Sequence, residues 1–423
     1  MKTLKNIGKI ALLSLALCGG TTSCNYLDVV PPEQASLPDA TKDPESTLGF
    51  LFSCYGGIRN PFDYQTVEAG ADEYVLPPLW NTGSQKITWD LNLPTNIADG
   101  WSWGSNYRFI GQCLLFLQQL PHARGVTDEQ KRAWAAEANF LLAYYHMVTL
   151  VAYGPCPITD TYIDQATPES EYNGRMHFDY VKDWICQKFD EVCEDGQLPA
   201  TRTGDEWGRA TSVMAKALKA RLLVYAASPL FNGSFPYKDW ENTNFETPGY
   251  GKELISLKYD RKKWEVAKAA CQEAITAAEA AGHKLFSLED AQSLYQQAGL
   301  TLPFVPFKSA EGGTADKDKE FMERVQLMRY VVTTRYKEGN RETIWGLANQ
   351  GTMIIGSLPH RVIKNNQGTW KTGYSGVSPT LNTVERFYTE NGVPIEKDNQ
   401  FYPQSEWYQS AGVTDRSDII KLN

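Results

Sequence analysis

A helix with two apolar faces is the strongest constraint that this sequence places on its own fold. It lies within residues 207–233, where Thr211 or Ser212 can cap the first turn. Pro229 ends the helix, because proline disfavours the helical conformation in the residue before it. A line of large residues and a line of small residues recur at helical spacing, as in a helix packed closely between other helices. The first line is Met214, Leu218, Leu222 and Tyr225, and the second is Ala217, Ala220, Val224 and Ala227.

Other helices in the chain begin with recognisable capping signals. Asp43 stands before Pro44, which suits the first turn of a helix. Thr127 and Gln130 have the spacing of a capping box, and Asp260 can cap a further long helix. No unit of about 34 residues repeats with a strict consensus, but the helices follow one another at regular intervals. We therefore predict a mostly α fold, a tetratricopeptide-like scaffold of stacked helical pairs.

The helical pattern is strong over residues 41–286 and weakens beyond them. Residues 330–333 and 343–345 fit short strands, and the segments between them have the composition of loops. The chain is therefore predicted to have an N-terminal helical region over residues 41–286 and a more irregular, loop-rich region over residues 287–423.

The N-terminus has the features of a secretory leader that ends in a lipidation site. Residues 1–23 combine lysines near the start with an apolar core that is too short to span a bilayer. Ser23 is a small residue directly before Cys24, which predicts cleavage there and attachment of lipid to Cys24. Cys18 is the competing site, but it follows a bulky leucine. Residues 24–40 are then expected to tether the folded body to a membrane.

The charge of the chain excludes one class of function. Lysine and arginine total 41 against 50 aspartate and glutamate, which gives a formal net charge of −9. A chain with this balance and no basic run lacks the cationic surface that nucleic acid binding requires. Nucleic acid is therefore not expected as a partner.

The cysteines show no disulfide framework. Six remain beyond the leader and the lipidation site, and none forms a CxxC pair. We expect them to be mainly buried small apolar residues, with a single bridge left open as an alternative. They are Cys54, Cys113, Cys156, Cys186, Cys193 and Cys271.

The sequence carries no motif of a known catalytic or cofactor site. The five histidines are dispersed and form no HExxH, and there is no GxSxG, GxGxxG or phosphate-binding loop. His146 lies in an apolar helix and is expected to be a core residue with satisfied hydrogen bonds. We therefore expect no metal, no cofactor and no catalysis.

The strongest candidate for a binding site is an aromatic and polar stretch between residues 72 and 106. Four tryptophans fall within 24 residues and alternate with short polar side chains. A sugar has an apolar C–H face ringed by hydroxyl groups, so its site needs flat rings beside hydrogen-bonding groups. For Trp103 the alternative is a packing role with Tyr107 and Ile110 on the buried face of a helix. The candidate ligand-binding residues are Asp72, Trp80, Trp89, Trp101, Trp103 and Asn106.

Several segments resemble the SusD/RagB family, the surface nutrient-binding lipoproteins of Bacteroidetes. The signature helix of that family is similar to GRATSVMAKALKARLLVYAASPLFNG at residues 208–233. The other matches follow in the expected order and span most of the chain. They are CNYLD at 24–28, EANFLLAYYHMVTLVAYGPCP at 137–157, YDRKKW at 259–264 and SPTLNTVERFYTENGVPI at 378–395.

The resemblance implies a fold, a function and a place for the ligand. SusD-like proteins pack four helical pairs against a more irregular region, bind oligosaccharides at the outer surface of the outer membrane, and pass them to a TonB-dependent, SusC-like transporter. The family's ligand surface combines N-terminal loops with a loop after the helical pairs, where Tyr295 lies in this chain. Family members generally continue beyond the last matched segment, so the resemblance also implies a truncated chain.

Three alternatives to glycan capture stay open at this stage. The RagB branch of the family implies peptide cargo, although the tryptophans favour a glycan. A lipid-anchored glycoside hydrolase would need a pair of carboxylates at a defined separation, which a sequence cannot show. A purely structural helical adaptor would bind no small molecule at all.

Overall fold

The computed structural model describes the helical scaffold and several segments of the C-terminal region. The predicted leader and Cys24 lie outside the described residues, as do Trp80, Trp89 and Trp101. The division of the chain at residue 286 stays a prediction. The described residues are 37–58, 71–77, 93, 103–164, 166–299, 323–325, 327–328, 330–332, 334–346, 363–364, 370–371, 376–389 and 392–399.

Helices dominate the described part of the chain, which confirms the predicted mostly α fold. They are α1 (Pro44–Tyr55), α2 (Trp103–Gln119), α3 (Asp128–Tyr153), α4 (Phe178–Glu191), α5 (Ser212–Ala227), α6 (Arg261–Ala280), α7 (Leu288–Gln297) and the short α8 (Leu381–Glu385). Single 3₁₀ turns lie at Leu37–Thr41, Leu120–His122, Glu169–Glu171, Glu194–Gly196, Gly204–Glu206, Pro229–Phe231, Tyr336–Glu338 and Ile395–Lys397.

The first turns of three helices are capped by the side chains that were predicted to cap them. The Asp43 carboxylate accepts a hydrogen bond from the Ser46 amide at 2.7 Å. Thr127 and Gln130 form the reciprocal capping box before α3. Before α5, the Thr211 hydroxyl accepts from the Met214 amide. Each bond satisfies an N–H group that the first helical turn would otherwise leave without a partner.

The helices pack against their neighbours in chain order. Contacts join α1 to α2, α2 to α3, α3 to α4, α4 to α5 and α5 to α6, as expected for a stack of helical pairs. The core lies along α3, which begins after its capping box and remains helical for 26 residues. Its buried side chains include Phe140, Leu141, Tyr145 and Leu150.

Helix α5, which the sequence predicts to have two apolar faces, has the predicted bounds but buries a different set of residues. Val224 is 40% exposed, so the predicted line of small residues is only partly buried. The helix has neighbours on several sides, α3, α4 and α6, and it therefore also buries Val213, Leu223 and Ala226. Its closest partner is α6, whose buried residues are all alanines, which allows the two backbones to approach each other.

The strands are short and form antiparallel pairs. β1 (Tyr74–Val75) pairs with β4 (Ser378–Pro379), and β2 (Ile363–Lys364) pairs with β3 (Trp370–Lys371). The first pair joins the segment after α1 to the segment that leads into α8.

The prediction of strands near residues 330 and 343 is wrong. Residues 330–332 are helical, and residues 343–345 are irregular, with a bend at 344–345. The β-branched composition of these segments favoured strands, but packing decides otherwise. Trp345 lies against α3, where its ring contacts Phe140 and Tyr144.

Candidate ligand-binding site

Two of the predicted ligand residues, Trp103 and Asn106, lie in the first turn of α2. Trp103 is half-buried, and its ring centroid lies 5.1 Å from that of Tyr107 and 5.4 Å from that of Tyr153. The Arg175 guanidinium carbon lies 4.7 Å from the Trp103 ring centroid, in a cation–π contact. The packing interpretation accounts for these contacts, and a role for Trp103 as a sugar platform stays a prediction.

Hydrogen bonds hold this ring cluster in place. The Trp103 amide donates to the Tyr153 hydroxyl at 3.1 Å, and the Tyr107 hydroxyl donates to the Pro157 carbonyl at 2.6 Å. Burial raises the pKa of Tyr107 above its usual value, so its hydroxyl stays a donor. Arg175 donates to the Pro155 carbonyl at 2.6 Å. The cluster is therefore rigid where it borders the predicted aromatic stretch.

Asn106 stands out in this group because its buried amide nitrogen is unpaired among the described residues. The residue is 4% exposed, and no described residue accepts a hydrogen bond from its amide nitrogen. A buried amide without a partner is uncommon, because it loses its bonds to water and gains none in exchange. Its position one turn from Trp103 places an unused donor beside the aromatic cluster.

His146 lies under this cluster and is a core residue, as expected. It is fully buried, and its Nε2 accepts from the Thr159 amide at 3.1 Å. Nε2 therefore carries no hydrogen, and Nδ1 is the atom that donates to the Leu142 carbonyl at 2.8 Å. Burial lowers the pKa of His146 to about 4, against a smaller opposing effect of Asp160.

Acid is expected to destabilise the protein through His146. The folded-state pKa of about 4 lies below the ordinary value of 6.5, so the unfolded chain binds the proton more readily between these two pH values. Lowering the pH from 6.5 to 4 should therefore remove about 3 kcal/mol of folding free energy at this residue. Urea unfolding at a series of pH values measures the effect. His146→Gln should reduce the dependence without removing it, because burial lowers the pKa of His177 to about 4 as well. His122→Gln, at an exposed site, should leave the dependence unchanged, and an equal dependence in both variants would contradict the prediction.

The other two described candidates, Asp72 and Tyr295, contact other parts of the chain and not the Trp103 cluster. The Asp72 carboxylate accepts from Asn382 and pairs with Arg386 at 3.0 Å, which joins β1 to α8. Tyr295, on α7, is half-buried, and its ring lies 5.3 Å from that of Tyr330. The predicted ligand roles of Asp72 and Tyr295 stay predictions, and each side chain has a structural partner.

Sequence reasoning missed the residues that complete the ring cluster. Tyr153 and Arg175 come from the end of α3 and from a loop, and neither stands at a spacing that marks a site. The aromatic surface extends past Gly154 to Trp240. The Trp240 ring lies 3.5 Å from the place that a β-carbon on residue 154 would occupy. Trp240 in turn stacks on Phe235 at 5.5 Å. The high aromatic content of the chain was the available signal, but it does not say which rings meet.

Two buried carboxylates of the helical scaffold, Glu137 and Asp179, pair with cations. Glu137 is fully buried and pairs with Arg202 at 2.9 Å and with Arg209. Asp179 is 7% exposed and lies 2.8 Å from Lys263. Neither is free to reach a glycosidic bond. Within the described ranges, no group of three or more His, Cys, Asp or Glu side chains is arranged to hold a metal ion.

The cysteines are mainly buried, as the sequence predicts. Each of the six cysteines beyond Cys24 is free, and four of them are buried. Among the described residues, no helix combines the length and the apolar character that a bilayer crossing needs.

Two solved structures define the class of protein to which this fold belongs. BF3747, a SusD-like protein from Bacteroides fragilis NCTC 9343, is 17% identical and has a TM-score of 0.58, and the match covers 90% of this chain and 61% of that one. BF0978, a SusD-like carbohydrate-binding protein from the same strain, is also 17% identical, with a TM-score of 0.52 and coverage of 86% and 56%. The chain has the SusD-like fold, which confirms the SusD/RagB resemblance of its sequence.

A more similar structure is that of the protein BT4246. It is 52% identical to this chain with a TM-score of 0.77, and the match covers 90% of this chain and 63% of BT4246. The chain thus spans about three fifths of the length of the solved structures it matches first. No known family model matches the sequence, and no curated protein does.

Proposed function

We propose that this chain is a surface-exposed, outer-membrane lipoprotein that binds oligosaccharides without cleaving them and delivers them to a TonB-dependent, SusC-like transporter. The observation that carries the proposal is the SusD-like fold, which the chain shares with a protein named for carbohydrate binding. A fold alone does not determine a function, so the site residues must support the ligand class.

The described residues around Trp103 support a sugar as the ligand. Rings of Trp103 and Tyr153 offer apolar surface, and Asn106 offers an amide donor without a partner. The sequence adds three tryptophans between residues 80 and 101, next to this cluster along the chain. Apolar ring faces beside polar side chains match the alternating C–H and hydroxyl groups of a pyranose.

The remaining parts of the proposal rest on the sequence and on the family resemblance. Cys24 after a leader supports lipid anchoring, and lipid anchoring supports a place at the membrane surface. Transfer to a SusC-like transporter follows from the resemblance. Capture beside a transporter needs only modest affinity, because a high local concentration replaces tight binding.

Calorimetric titration of the chain without its leader tests the proposal. The ligands are a panel of soluble polysaccharides and a mixed peptide digest, with an assay for released reducing ends. We expect saturable glycan binding, no new reducing ends, and at least about a tenfold loss of affinity in Asn106→Ala or in the Trp80→Ala, Trp89→Ala or Trp101→Ala variants.

Two control variants make the result specific to the site. Trp264→Ala removes a tryptophan that is 42% exposed on α6, and Asn139→Ala removes an amide that already donates to a carbonyl on its own helix. Neither should change glycan affinity. Binding of peptides alone would replace glycan with peptide cargo, and release of reducing ends would identify a hydrolase. Binding of nothing would favour a structural adaptor.

A further inference from the structure

A cavity lies on a different part of the scaffold from the Trp103 cluster. It has a volume of about 530 Å³ and lies between α5 and the segment 331–345. Small-molecule sites in proteins have volumes of roughly 300–1,000 Å³ and combine apolar walls with a few polar groups. Leu218 and Arg221 line the cavity on the α5 side, and Val331, Glu342 and Trp345 line it on the other.

The walls of this cavity are fixed in position. The Trp345 indole N–H donates to the Gly208 carbonyl at 2.9 Å, and its ring packs against Phe140 and Tyr144 at centroid distances of 5.6 and 5.4 Å. Asn340 is 1% exposed, and its amide donates to two backbone carbonyls of the same wall. A ligand would therefore meet surfaces that need little ordering on binding.

The polar side chains that line the cavity can form further hydrogen bonds. Arg221 forms neither an ion pair nor a hydrogen bond within the described part of the chain, although Glu342 lines the same cavity. Glu342 accepts from the Phe286 amide through Oε2 at 2.9 Å, which leaves Oε1 as an acceptor. Thr343 also lines the cavity. The cavity thus contains a strong donor, a strong acceptor and an aromatic ring.

This combination selects against three ligand classes. A purely apolar ligand would cover Arg221 and Glu342 without satisfying either, which costs free energy. An anion would meet the Glu342 carboxylate, and a cation would meet the Arg221 guanidinium. A neutral ligand with several hydroxyl groups satisfies both side chains, because each hydroxyl can accept from one group and donate to the other.

We infer that the cavity between α5 and residues 331–345 is a second carbohydrate-binding site, which holds a neutral sugar unit by hydrogen bonds to Arg221 and Glu342 and by contact with Trp345. The inference takes its ligand class from the proposed function and adds a site on a different part of the scaffold. A long glycan bound at two places would gain avidity from their linkage.

The test combines a reporter in the cavity with variants of its polar groups. The protein is labelled with 5-fluorotryptophan, and the Trp345 signal in the fluorine NMR spectrum is assigned from Trp345→Phe. The probes are neutral hexasaccharides of glucose, galactose and mannose units, with uronate and glucosamine oligomers of the same length. A neutral hexasaccharide should shift the Trp345 signal saturably. Arg221→Met and Glu342→Gln should each weaken this shift by about tenfold or more.

The matched control is Arg261→Met, which removes an arginine whose side chain is 83% exposed on the neighbouring helix α6. It should leave the titration unchanged. Glycan binding that depends on Asn106 or the N-terminal tryptophans while the Trp345 signal stays constant would overturn the second site and leave the proposed function standing. Tighter binding of a charged oligomer in the cavity would overturn the neutral ligand class. Absence of any sugar binding would overturn both proposals.

Discussion

Replacing Glu137 with glutamine is expected to lower the free energy of unfolding by about 3–5 kcal/mol. The Glu137 carboxylate is fully buried, and it accepts a hydrogen bond from the Tyr55 hydroxyl at 2.6 Å. It also pairs with Arg202 and Arg209, whose side chains are only 7% and 13% exposed. Removing its charge would leave two shielded guanidinium groups without their main counterion. Urea denaturation at neutral pH, followed by circular dichroism, measures the loss.

The same arginines provide the control for this prediction. Glu206 pairs with Arg209 at 2.7 Å and with Arg202 at 3.3 Å, but its side chain is 56% exposed. Water solvates that carboxylate, so Glu206→Gln should cost no more than about 1 kcal/mol. Equal losses in the Glu137 and Glu206 variants would show that burial does not set the strength of this network.

The second large effect is expected for Phe140→Ala, with a loss of about 3–5 kcal/mol. Phe140 is fully buried on α3, and its ring lies 5.7 Å from that of Phe189 and 5.6 Å from that of Trp345. Truncation would remove buried apolar contacts and leave a cavity where three parts of the chain meet. The loss is measured by the same denaturation assay. Phe387→Ala makes the same change at a residue that is 66% exposed and should stay within about 0.5 kcal/mol of the parent protein.

A result for Phe140→Ala as small as that for Phe387→Ala would contradict the assignment of the core to α3. Near-ultraviolet circular dichroism offers a second measure, because Trp345 loses one of its ring neighbours in the variant. A change in that signal without loss of helix would indicate a local effect at the cavity wall.

The parts of the fold that the sequence predicts are those that depend on near neighbours. The Asp43 cap joins residues three apart, and so does the bond between Thr211 and Met214. Capping and helical periodicity are local, so the bounds of α5 follow from its own residues and from Pro229. The segment around residue 343 illustrates the limit, since its contacts with α3 override its preference for a strand.

In the candidate site, too, the sequence predicts which near neighbours meet but not which distant residues do. Trp103 and Asn106 are three residues apart on α2, so their proximity follows from helical geometry. The partners of Glu137 lie 65 and 72 residues further along the chain, and only the folded scaffold brings them together. Arg175 reaches Trp103 from a distant loop in the same manner. No spacing rule connects such distant residues. For that reason the sequence could not decide between a ligand-binding role and a packing role for Asp72 and Tyr295.

The pairing of β1 with β4 has a consequence for the order in which the protein folds. Most helix contacts join neighbours along the chain, but the bond from the Thr380 hydroxyl to the Asp72 carbonyl spans 308 residues. Closing so long a loop costs entropy that the two short strands recover only after the stack between them has formed. β4, Val75 of β1 and the Asp72–Arg386 ion pair are solvent-exposed, whereas the buried rings of the core lie on α3. We therefore expect the helical stack to form before β1 and β4 pair, and this pairing to open more readily than the core around α3.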